Sequence, residues 1–209
     1  DPELVGNQQR ILVSDQAGRS TIIKKIEKKY PHYDKNSPEI IALFEQMKEA
    51  ERQGYQYEAA EASFELLTSQ IFDDYEPCFE LVGFRIIVER SGEFGLKSEA
   101  TIKVTGPNGE IEHTAADGDG PVNAIDNALR KVLERFYPEL KEVRLTDYKV
   151  RVLDTKSGTG AKVRVLLESS DGTDSWGTVG VSENIIQASW EAMTESLAYK
   201  LYKNRPKEN

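Results

Sequence analysis

The sequence predicts an α+β fold, in which a small helical subdomain precedes a duplicated βββα domain with pseudo-twofold symmetry. Three observations predict it. Apolar residues recur at helical spacing through the first 75 residues, the period drops to two from Leu81, and a strand-plus-helix unit occurs twice, 64 residues apart. The run DGDGPVNAIDNAL from Asp117 aligns with VSENIIQASWEAM from Val181, matching Gly120 with Asn184, Pro121 with Ile185, Val122 with Ile186, Ala124 with Ala188 and Ala128 with Ala192. The same offset lays FRIIV from Phe84 over YKVRV from Tyr148. Duplicated units of this kind pack as pseudo-twofold pairs, which make symmetric ligand clefts or dimer surfaces more often than catalytic centres.

Each element has its own signal. Ser37 before Pro38 pairs an N-cap with a proline suited to the first helical position; Ile40, Ile41, Phe44 and Met47 follow at helical spacing until Gly54. A second helix is expected from about Tyr57, with Ala59, Ala62, Phe64, Leu66 and Leu67. Between Thr68 and Glu80 the periodicity stops and Asp73, Asp74 and Glu76 crowd with Pro77, which places a domain boundary there: residues 1–75 form the helical subdomain and 76–209 the second domain. Strand alternation then appears in Ile86 and Val88, and in Ala100, Ile102 and Val104, with a turn at Pro107-Asn108-Gly109 before GEIEHTAAD. Val122, Ile125, Leu129, Val132, Leu133 and Phe136 form the stripe of a helix stopped near Pro138. The order repeats as YKVRVL, AKVRVLL, a turn at Asp171-Gly172, DSWGTVGV, and a helix carrying Ile186, Trp190, Met193, Leu197 and Leu201. The units span 81–142 and 145–204, and they are expected to pair their sheets with both helices on one side.

Composition narrows the function. With 209 residues and 38% hydrophobic content the chain can bury a sizeable core. Its net charge of −9 and pI near 4.9 repel phosphate backbones and anionic membranes, so neither nucleic acid nor a membrane is an expected partner. Cys78 is the single cysteine and supplies neither an internal disulfide nor a metal cluster; no apolar run reaches the roughly 18 residues a membrane helix needs. A cytoplasmic location is expected. The opening DPE, without Met and running directly into Ile11, Leu12 and Val13, reads as a piece of a longer protein.

Few residues offer chemistry. Gly118-Asp119-Gly120 stands before the helix that begins near Pro121, where glycines permit close backbone approach and free N–H groups attract a carboxylate or phosphate; the plain alternative is a tight turn. Asp117 and Asp119 disfavour a multiply charged anion and suit a zwitterion. Thr159-Gly160-Ala161 opens the middle strand of the second unit with small residues, either a turn or room for a ligand. His32 and His113 have no histidine or cysteine at ligand spacing, and Asp73, Asp74 and Glu76 read as a solvated linker rather than a metal site. No catalytic constellation is present.

Several segments carry a resemblance. DPELVGNQQRILVSDQAGRS, GYQYEAAEASFELL, HTAADGDGPVNAIDNAL, LTDYKVRVLD and DSWGTVGVSENIIQASWEAM together resemble the carboxy-terminal half of the 2-isopropylmalate synthase family. GYQYEAAEASF tips the resemblance toward citramalate synthases. The resemblance implies the linker and regulatory region of an acyltransferase, whose absent TIM barrel uses a divalent metal to condense acetyl-coenzyme A with a 2-oxo acid. No cofactor and no catalytic residue is implied in this chain. It further implies a homodimer that binds a branched-chain amino acid, isoleucine before leucine, for feedback inhibition; a dimerisation domain without an effector remains the alternative. By motif, the implied effector pocket falls on Gly118, Asp119, Gly120 and Asn123 in the first unit, and on Thr159, Gly160, Ala161 and Ile185 in the second. Aspartate in place of Gly118 or Gly120 is expected to abolish effector binding with little loss of folding.

Overall fold

The computed structural model describes residues 18–72, 75, 77–92 and 95–205. The opening run with Ile11, Leu12 and Val13, and the acidic residues Asp73, Asp74 and Glu76, lie outside the described residues. Three helices come first: α1 (Arg19–Ile26), α2 (Pro38–Gln53) and α3 (Glu61–Phe72). Then follow β1 (Glu80–Ser91), β2 (Gly95–Thr105), β3 (Ile111–Gly118) and α4 (Pro121–Phe136), and the order repeats in β4 (Arg144–Val152), β5 (Val163–Ser170), β6 (Ser175–Ser182) and α5 (Ile185–Lys203). The α+β architecture with a duplicated βββα unit is the one the sequence predicts.

Local chemistry sets the helix ends. α2 starts at Pro38 and closes on Gly54, whose φ of 112° lets its N–H and that of Tyr55 both reach the Ala50 carbonyl. Ser37 precedes the helix as expected but does not cap it; its Oγ accepts from the Asp34 N–H at 2.9 Å. α3 begins at Glu61, four residues later than the sequence spacing indicates, because Tyr57 turns inward as a buried residue of the core formed with α1 and α2. It also runs on to Phe72, into the stretch where the helical period is hard to see.

Two antiparallel three-stranded sheets form, ordered β1-β2-β3 and β4-β5-β6. They do not pair with each other, contrary to the expectation. The β6 edge is occupied instead: the Val179 N–H donates to Ser63 Oγ at 3.0 Å and the Val181 N–H to Glu191 Oε2 at 3.2 Å. The duplication is visible in the registers. β1 carries an irregularity between Leu81 and Gly83, and β4 carries one between Leu145 and Asp147, at positions 64 residues apart. The middle strands are displaced by one further residue, since Phe84 faces Ile102 whereas Tyr148 faces Leu167.

α4 lies across β2 and β3, α5 lies across β5 and β6, and the two helices touch, so one core runs through both units. Ile102, Ile125, Leu129 and Leu133 are fully buried there, each worth about 1.5–3 kcal/mol. Trp190 of α5 meets Phe84 of β1 with ring centroids 5.5 Å apart, which ties the second helix to the first sheet. A second core joins α1, α2 and α3 to Val179 and Val181 on the far face of β6. β6 is thus sandwiched, and its glycines permit it. A Cβ on Gly180 would stand 3.0 Å from the Ala192 nitrogen of α5, and one on Gly177 would stand 3.1 Å from the Ala59 carbonyl carbon on the opposite face.

Candidate functional site

The first group of candidate residues sits where β3 runs into α4. Pro121 suits the first helical position because it lacks the N–H that would go unpaired there. Gly120 is extended (φ −161°, ψ 172°); no side chain caps the helix, and its first turn holds no acidic residue. The positive end of the α4 dipole is therefore left uncompensated. The loop before it is strapped to the helix from the other side: Asn123 Oδ1 accepts from the Asp119 N–H at 3.1 Å, and Asn127 Nδ2 donates to the Asp117 carbonyl at 2.8 Å. Asn123 and Asp119 are exposed, Gly118 and Gly120 half-buried.

The two glycines differ in kind. A Cβ on Gly118 would lie 2.7 Å from Ala124 Cα and 2.8 Å from the Asn123 carbonyl carbon, both backbone atoms, so β3 and α4 touch there only because the side chain is missing. A Cβ on Gly120 would meet nothing within 4 Å. The expectation that either glycine tolerates aspartate with little loss of folding is thus corrected for Gly118, whose substitution wedges strand from helix.

The second group occupies the corresponding corner of the second unit. Asn184 caps α5, its Oδ1 accepting from the Ile186 N–H at 2.8 Å, so this helix start is already satisfied. Ile185 follows at 42% exposure. Thr159 and Gly160 are exposed in a 3-10 turn (Thr155–Gly160), and Ala161 after it is buried, its N–H donating to the Gly158 carbonyl at 3.3 Å. The register pair Val163–Ser182 sets the start of β5 beside the chain that enters α5. Thr159–Ala161 and Ile185 therefore share one corner, and Gly118, Asp119, Gly120 and Asn123 share the other. No hydrogen bond or ion pair described here joins the two groups.

A cluster that sequence reasoning passed over lies midway along α5. Tyr55 Oη donates to Glu191 Oε2 at 3.0 Å, Gln187 Nε2 donates to Glu191 Oε1 at 3.1 Å, and Ser63 donates to Glu195. Burial, opposed by the Ser63 hydrogen bond and helped by the neighbouring Glu191 charge, pushes the Glu195 carboxyl up to about 7. Burial and the same Glu191 raise the Tyr55 phenol well above its usual range. Arg164 on β5 completes the joint, bonding the Gly54 carbonyl at 2.5 Å and Gln56 Oε1 at 2.7 Å. GYQYEAAEASF, the most telling segment of the sequence, is the strap that docks the helices onto β6 and α5. A cavity of about 240 Å³ opens beside it, lined by Leu66, Phe79, Leu81, Trp190 and Glu195 among others.

Comparison with known proteins decides what frame these corners belong to. The profile of the LeuA allosteric (dimerisation) domain matches residues 58–201, more than half of the chain. The chain belongs to that family. Over 204 residues, covering 97% of the chain, it is 54% identical to the (R)-citramalate synthase of Geobacter sulfurreducens, and over 205 residues, covering 98%, it is 49% identical to that of Aquifex aeolicus. The 2-isopropylmalate synthase of Aquifex aeolicus is 31% identical over 202 residues. The chain spans less than two-fifths of the length of these relatives, 38%, 39% and 35% in turn.

The match takes in both βββα units and reaches back to include α3, so the LeuA domain here comprises two corners of unlike character. One has an open helix start and a polar loop; the other is capped, with Ala161 and Ile185 beside it. Among the described residues no group of His, Cys, Asp and Glu is placed to hold a metal ion, and no helix is long and apolar enough to cross a membrane. Cys78 is half-buried, with Arg205 Nη2 at 3.1 Å from its Sγ.

Proposed function

We propose that this chain is the amino-acid-sensing and dimerisation region of an acyltransferase of the 2-isopropylmalate/citramalate synthase type, and that it mediates feedback inhibition by a branched-chain amino acid. In this reading residues 1–75 are the helical linker and 76–209 the cytoplasmic regulatory domain. The longer protein condenses acetyl-coenzyme A with a 2-oxo acid in a metal-dependent barrel outside this chain. The observation that carries the proposal is the open start of α4, where no side chain caps the helix and the backbone leaves room at Gly120. A carboxylate there gains the dipole and the unpaired N–H groups.

The capped second corner suits the other end of the ligand, since Ala161 and Ile185 are apolar and small or branched. An amino acid joins the two chemistries, and a charged side chain is rejected because burying it unpaired costs several kcal/mol. Isoleucine is favoured over leucine because the nearest resemblance of GYQYEAAEASF is to citramalate synthases. Homodimer formation belongs to the same reading: Val82, Val88, Leu96, Leu145, Val150 and Val152 are all at least 40% exposed on the single chain, more apolar sheet surface than its two helices cover. Calorimetric titration with isoleucine, leucine, valine, aspartate and lysine tests it. Saturable binding confined to the branched-chain amino acids supports the proposal; no binding to a folded dimer leaves a dimerisation domain alone.

A further inference from the structure

Ser98 is the one buried side-chain oxygen among the described residues that lacks a hydrogen-bond partner. It is 2% exposed and sits on the inner face of β2, in phase with the buried Ala100, Ile102 and Val104. Folding withdraws its hydroxyl from water and returns nothing for it, which native chains tolerate mainly where the group has another use. Its position says what that use is. Val88, Ser98 and Gly118 are register partners in a row across β1, β2 and β3, and the row ends at the start of α4. On the same face, one step toward the strand end, Leu96 is 62% exposed, and Val88 is 50% exposed, so the corner opens to solvent immediately beside the hydroxyl.

The equivalent row in the second unit is Val152, Val163 and Ser182. There a valine stands where Ser98 stands, and Asn184 caps the helix. The repeat has therefore kept a hydroxyl only in the corner whose helix start is open. We infer that Ser98 is a polar contact of the effector pocket, its hydroxyl donating to the ligand carboxylate held at the α4 start. The inference rests on the effector reading above and adds to it a residue that no motif points to.

A volume-matched pair of variants tests it. Ser98→Thr keeps the hydroxyl, and Ser98→Val copies the second unit with almost the same shape. Isoleucine titrations by calorimetry are expected to give Ser98→Thr a Kd within about threefold of the parent and Ser98→Val a Kd raised about tenfold or more. Without ligand, Ser98→Val should melt no lower than Ser98→Thr, because it removes an unpaired hydroxyl. Equal affinities for the two variants, with the parent binding isoleucine, overturn the role of Ser98 and leave the effector reading standing. A melting temperature of Ser98→Val clearly below that of Ser98→Thr shows that the hydroxyl has a partner in the fold, which also overturns it. If the parent binds no branched-chain amino acid, the effector reading fails and this inference fails with it.

Discussion

Replacing Gly120 by aspartate separates binding from folding at the α4 start. Gly120 is extended, a backbone state any residue adopts, and the new Cβ meets nothing within 4 Å. Aspartate at an N-cap is better than glycine by a few tenths of a kcal/mol, and its charge at the positive end of the helix adds about 0.3–1 kcal/mol. For a chain of this size the melting temperature should therefore rise by about 1–4 °C. The same carboxylate occupies the N–H groups offered to the effector and repels it. Losing a charge-assisted contact of roughly 1.5–3 kcal/mol weakens isoleucine binding by about 10- to 150-fold. Calorimetry for affinity and a thermal melt for stability, in one buffer, give both numbers. Gly118→Ala is the contrasting control, since its Cβ overlaps α4 backbone and should cost about 1–3 kcal/mol of stability. A Gly120→Asp variant that binds isoleucine within threefold of the parent, or that melts below it, refutes the reasoning.

Other outcomes follow from the same structure. In the folded chain Glu195 holds its proton up to about pH 7, whereas unfolded it releases it near pH 4.5, so its contribution to stability falls as pH rises through that window and is constant above it. Glu195→Gln should flatten that part of the curve and gain on the order of 2 kcal/mol at pH 8, measured by denaturant titration; equal slopes for variant and parent contradict it. Gly180→Ala should destabilise by about 2–3 kcal/mol, because its Cβ would strike the backbone of α5, and an unchanged melt would show that β6 and α5 do not pack so closely. Light scattering at high micromolar concentration should give a dimer, and a monomer would contradict the role assigned to the exposed apolar sheet surface.

Much of the fold was legible because its signals are local. The α4 stripe from Val122 to Phe136, the close of α2 at Gly54 and the repeat that matches Gly120 with Asn184 all depend on residues near one another in the chain. What the sequence hid depends on contacts from afar. Tyr57 fits a helical period, yet a core made with α1 and α2 draws it inward and delays α3 to Glu61. The extra residue of offset in β5 shows only in its pairing with β4. Gly177 and Gly180 inside a strand were a usable signal of close backbone approach on both faces. Ser98 was another, a polar residue in the buried phase of β2. The two candidate corners were found by motif, but their difference was not, because whether a helix start is capped depends on side-chain orientation: Asn184 bonds the Ile186 N–H, while Asn123 turns back to Asp119.

The most direct test of the central claim, that an amino-acid effector rests its carboxylate on the α4 start, is a calorimetric competition between isoleucine and 2-methylbutylamine, which has the same side chain and ammonium but no carboxylate. Loss of that group leaves helix-terminal donors without a partner worth roughly 1.5–3 kcal/mol, so the amine should bind at least about tenfold more weakly than isoleucine. Equal competition by the amine would contradict the account.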